Sequence, residues 1–121
     1  MIFVYSIFER LGAKMNEKVE NSLDNLIDTI LHDEIYLEYK KQLDLLRQDP
    51  ELKRQVDDFR KRNYDMQLSG DFDFAKLESF REQNREFRAN PLVDAFLAAE
   101  LDFCRMMQNI NFRIIDAVDF E

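Results

Sequence analysis

Residues 90–118 read "NPLVDAFLAAELDFCRMMQNINFRIIDAV", with no glycine and no proline after the second position. Proline can open a helix because its missing N–H has no partner in the first turn, and a preceding asparagine can cap the free amides there. Asn90-Pro91 therefore predicts a helix start. The unbroken run behind it predicts a helix roughly 40 Å long at 1.5 Å per residue. Its apolar residues form two adjoining stripes. Val93, Leu97, Cys104, Met107, Ile114 and Val118, with Glu100 and Asn111 among them, step by four and three. Leu92, Phe96, Ala99, Phe103, Met106 and Ile110 run beside them. One neighbouring helix does not cover so wide a face. Either the helix lies at the centre of a bundle, buried on most sides by its own chain, or one stripe packs internally while the other meets a second subunit. Leu92, Phe96, Ala99, Phe103, Met106 and Ile110 are the candidate partner or oligomer interface.

The only other proline stands in the same frame. "RQDPEL" at 47–52 and "RANPLV" at 88–93 each set an acid or its amide before the proline and an arginine three residues ahead of it. A residue before proline is pushed out of the α region, so incoming helices should stop near Gln48 and Ala89. Asp49, Pro50, Asn90 and Pro91 thus read as helix caps, each pair ending one helix and aiming the next. With these joints set, residues 16–31 place Val19, Leu23, Leu26, Ile27, Ile30 and Leu31 at helical spacing. Asp33 can cap a segment carrying Ile35, Tyr36, Tyr39, Leu43 and Leu46. A third helix runs from Pro50 to about Ser69, with Leu52, Val56, Phe59 and Met66 on one face and Gly70 as its stop. After the loop "SGDFD", Asp73 can cap a fourth that carries Leu77, Phe80 and Phe87, and Pro91 opens the fifth.

Composition agrees with this all-α reading. The 121 residues include 45% hydrophobic and 35% charged side chains but only two glycines and two prolines, and the β-branched residues are too scattered to alternate. That suits long helices and one core of ordinary size. The expectation is a single-domain antiparallel helical bundle of about five helices, residues 16–121, ending in the long helix. Residues 1–15 contain the apolar run "MIFVYSIF". They read as an extension, flexible or the product of an early start, or else as a short helix docked on the core. The run is far below the roughly 20 residues that span a bilayer and lacks a basic leading region. A net charge of −8 opposes direct binding to nucleic acid or an anionic membrane and favours a cationic protein partner. The lone Cys104 and the lack of a cleavable leader point to the cytoplasm.

No catalytic constellation emerges. His32, the only histidine, has Asp28 four residues before it as a second metal ligand, but the chain lacks the Glu-x-x-His pairs of di-iron bundles. Cys104 falls in an apolar stripe, where cysteine is ordinarily a small packed hydrophobe. The acids come without a nucleophile, phosphate loop or oxyanion device. The basic run "KRQVDDFRKR" is broken by Asp57 and Asp58 and reads as a salt-bridged solvated face. Its rival is a contact for RNA or an acidic partner through Lys53, Arg54, Arg60 and Lys61. Asn63, Asn84 and Asn111 each follow an apolar residue by four and are either register-fixing buried amides or exposed edge residues.

The order of elements from about residue 16 resembles the YlbF/YmcA family of small helical bacterial regulatory proteins. The resemblance is carried by Tyr36, Tyr39, Asp49-Pro50-Glu51 and Phe59, and above all by Asn90-Pro91-Leu92-Val93 with Phe96 and Ala99-Glu100. It implies a non-enzymatic cytoplasmic adaptor, a homo-oligomer or a hetero-oligomer with a paralogue, acting in competence, sporulation or biofilm formation. It also implies messenger RNA processing through a ribonuclease partner. Some members of that family help to hold an iron–sulfur cluster through cysteines. With Cys104 alone, this chain by itself is not expected to hold one, although a cluster shared between subunits stays open. The alternatives are a helical-bundle enzyme or small-ligand or metal-binding protein and, more weakly, a direct RNA binder.

Overall fold

A computed structural model describes residues 15–68 and 73–118. Among the described residues there are six helices and no strand. They are α1 (Glu17–Leu31), α2 (Glu34–Arg47), α3 (Pro50–Leu68), α4 (Phe74–Gln83), α5 (Arg85–Ala89) and α6 (Pro91–Val118). The chain divides into two compact units at Asp33/Glu34. The first holds α1 and the second holds α2 to α6. The N-terminal extension, the glycine stop and most of the "SGDFD" loop lie outside the described residues.

In the first unit, Asn16 caps α1 by accepting from the Lys18 amide at 2.8 Å. No residue of α1 is buried.

In the second unit the punctuation residues act as caps. Asp49 Oδ1 accepts from the Leu52 amide at 3.1 Å, Asn90 Oδ1 from the Leu92 amide at 3.0 Å, and Asp73 Oδ1 from the Ala75 amide at 2.9 Å. Asn90 itself is extended, with ψ 122°, as a residue before proline must be. The Asp49-Pro50 turn folds α3 back on α2. Their facing residues Leu43, Leu46 and Val56 close on Val93 and Phe96 of α6 to form the core. Leu46, Val56, Val93 and Phe96 are fully buried, and burying such a side chain contributes roughly 1.5–3 kcal/mol. Ring contacts give the direction of packing. Tyr36 meets Phe103 at 5.4 Å and Tyr39 meets Phe96 at 6.0 Å, so α2 and α6 run antiparallel.

The expected fourth helix is broken in two, which makes six helices instead of about five. Asn84 separates α4 from α5 with φ −107° and ψ 8°, and no proline or glycine is involved. Its side-chain amide donates to the Phe80 carbonyl at 2.7 Å, the carbonyl that its own backbone N–H also approaches, at 3.2 Å. This is the competition between side chain and backbone that bends helices at such residues. Phe59 of α3 holds both pieces, stacking on Phe80 at 5.6 Å and meeting Phe87 at 5.5 Å.

Candidate functional site

The two stripes of α6 do not divide as inside and outside. Val93 of one stripe and Phe96 and Ala99 of the other are buried together, and Leu92, Leu97, Phe103, Met106, Met107 and Ile110 are half-buried. The separation runs along the helix. Its first half is enclosed by α2, α3 and α5, whereas Ile114 and Val118, which continue the same face, stand 50% and 59% exposed. Of the candidate interface, then, Phe96 and Ala99 are occupied by this chain's own core. Leu92 packs against that core and Phe103 lies on Tyr36 and Tyr39. Met106 and Ile110 stand at the border of the enclosed part.

A further row borders these stripes. Leu97, Leu101, Cys104, Gln108, Phe112 and Ile115 follow one another at steps of three and four, which was the available signal. Leu101, Phe112 and Ile115 are 49%, 67% and 46% exposed. Cys104 is exposed as well, contrary to the packed position expected of it, because none of the described helices α2 to α5 covers this row. The last four turns of α6 thus present a broad apolar surface built on a rigid helix whose first half is anchored in the core.

At the edge of the anchored half lies a charged cluster. Arg60 of α3 reaches Glu100 of α6, Nη2 to Oε2 2.8 Å, and its guanidinium sits 6.0 Å from the centre of the Phe96 ring. The approach is close but poorly aligned for hydrogen bonding, and Oε2 is buried without a hydrogen-bond partner among the described residues. Burial pushes the Glu100 carboxyl above its ordinary range even though the Arg60 charge pulls it down. Burial, and then the Glu100 charge, raise the Tyr39 phenol in turn. The cluster pins α6 to α3, and the signal for it in the sequence was one acid inside an apolar stripe.

The candidate basic contact is mostly engaged in ion pairs on its own helix. Lys53 pairs with Asp57, Arg54 with Glu51 at 2.7 Å, and Arg60 with Asp57 at 3.6 Å besides Glu100. Arg62 pairs with Asp58 at 3.1 Å and donates a long bond of 3.4 Å to Asn84 Oδ1. Lys61 is exposed. Of the three asparagines, Asn84 is buried, Asn63 half-buried and Asn111 exposed. Exposed His32 lies against Asp28, with Nδ1 2.8 Å from its carbonyl and 3.5 Å from its carboxylate. Among the described residues no three His, Cys, Asp or Glu side chains converge as metal ligands. Cys104, the chain's single cysteine, is exposed and supplies one of the about four ligands an iron–sulfur cluster takes. No described helix is long and apolar enough to cross a membrane.

The family described as "Control of competence regulator ComK, YlbF/YmcA" matches residues 19–119, which is most of the chain. No curated protein and no solved structure matches it.

Proposed function

The chain belongs to the YlbF/YmcA family of competence regulators, and from that membership we propose that it is a non-enzymatic cytoplasmic adaptor acting through association with other proteins. The observation that carries this reading is the exposed apolar surface on the last four turns of α6, where Phe112, Ile114, Ile115 and Val118 all face solvent. Contiguous apolar surface of this kind is costly to leave in water and marks interaction sites. Its support is a helix fixed at one end by Val93 and Phe96, so binding it needs little ordering. The occupants consistent with this reading are a second copy or a paralogous helical chain. A ribonuclease recruited by that assembly would link the protein to messenger RNA processing, and to competence, sporulation or biofilm formation. The acidic balance of the chain favours an effect on RNA exerted through the partner.

The test is light scattering on the full chain across a wide concentration range, alone and with co-expressed paralogue, for wild type and Phe112→Ser. Assembly that weakens in Phe112→Ser supports the reading. A monomer under every condition, or an assembly indifferent to the substitution, removes α6 from it.

A further inference from the structure

α1 carries a second apolar face, and its edges differ in charge. At 100° per residue, Val19, Leu23, Leu26, Ile27 and Ile30 lie on one side of the helix with Leu31 at its margin. Val19, Leu23, Ile27 and Leu31 are 40–53% exposed, while Leu26 and Ile30 are half-buried. Along one edge of the stripe Glu17, Glu20, Asp24 and Asp28 follow at steps of three, four and four. Along the other edge stand Lys18, Ser22, Asn25 and Thr29. Glu17, Glu20 and Asp24 form no ion pair among the described residues, and Asp28 meets only the exposed His32.

We propose that α1 is a docking site for a helix of another protein whose apolar stripe is bordered on one edge by lysine or arginine. Charge complementarity selects this occupant. A two-fold axis that pairs two α1 helices antiparallel brings each edge against its own copy, setting four acids against four acids. The parallel arrangement offers those acids one cation, Lys18. A basic-edged helix instead meets every acid with an opposite charge while burying the same leucines and isoleucines. The acid edge equally repels an anionic lipid surface. This inference rests on the adaptor reading and adds the chemistry of the partner at a different helix.

The experiment uses the full chain and two labelled synthetic helices that share one leucine stripe, one edged by four lysines and the other by four glutamates, read by fluorescence anisotropy. The lysine-edged peptide binds about tenfold more tightly than the other, since exposed pairs each contribute modestly, and the preference shrinks as salt rises. Combined Glu17→Gln, Glu20→Gln and Asp24→Asn removes the preference with helix content unchanged, and Leu23→Ser with Ile27→Ser removes binding. Equal binding of both peptides, or of neither, overturns the proposal. So does binding to phosphatidylglycerol vesicles, or a dimer that the Leu23→Ser/Ile27→Ser chain loses. A chain that assembles through α6 yet ignores both peptides contradicts only this inference. One that selects the lysine-edged peptide but never assembles through α6 contradicts only the placement of the partner surface on α6.

Discussion

Phe96 and Phe112 sit on one helix sixteen residues apart, and truncating each should give opposite results. Phe96 is fully buried, touches Tyr39 at 6.0 Å and lies beneath the Arg60 guanidinium. A buried phenylalanine removes roughly 150–250 Å² from water. At about 25 cal/mol per Å² its loss, together with the cavity left between α2, α3 and α6, amounts to about 4 kcal/mol. A domain of this size has only about 5–15 kcal/mol in total. Phe96→Ala should therefore lower the urea midpoint steeply and the melting temperature by roughly 15 °C. Phe112 is 67% exposed, so Phe112→Ala should stay within about 0.5 kcal/mol when measured dilute enough to keep the chain unassociated. Urea denaturation followed by far-UV circular dichroism reads both. A Phe96→Ala variant within about 1 kcal/mol of wild type, or a Phe112→Ala variant losing more than about 2 kcal/mol, would refute the lengthwise division of α6.

Asn90→Ala deletes the bond to the Leu92 amide and should cost about 1 kcal/mol in the same assay. Asn90→Asp, which keeps the capping oxygen, should recover most of it. Asn84→Ala removes both the Phe80 carbonyl bond and the Arg62 contact and should cost about 1 kcal/mol, with the loss read by hydrogen exchange concentrated in α4 and α5. Burial holds the Glu100 carboxyl above the ordinary value for a glutamate, about 4.5. The folded chain therefore holds this proton more tightly than the unfolded one. Its contribution is fully present below about pH 4.5 and is lost as pH rises through the folded value. Subtracting the stability profile of Glu100→Gln from that of wild type should give a curve falling over this window. A difference curve that rises with pH would show that the Arg60 charge, and not burial, governs the carboxyl.

The caps were legible because capping is local. Asp49, Asp73 and Asn90 need only the residues that follow them to fold helically, and proline restricts the residue before it wherever it stands. Residues carrying the helical spacing of α2 and α3, Leu43, Leu46, Val56 and Phe59, likewise went into the core. The break at Asn84 was illegible because it depends on a contact twenty-two residues away, from Arg62, and on burial that makes the amide turn back on the Phe80 carbonyl. The partition of α6 failed for a related reason. Periodicity states which face is apolar, but which turns of that face are covered depends on where α2, α3 and α5 end. Cys104 is the clearest case, since its stripe position is apolar in sequence and exposed in structure. The unlike edges of α1 are written in the sequence, but the exposure of Val19, Leu23, Ile27 and Leu31 between them is not.

The adaptor account is tested most directly by affinity capture of the tagged chain, expressed at native level, with its assembly quantified by mass spectrometry. The account predicts recovery of a paralogous helical chain or a ribonuclease in fixed ratio, diminished by Phe112→Ser. Recovery of the chain alone as a monomer, carrying one metal ion or small molecule per chain, would contradict it and favour an enzyme.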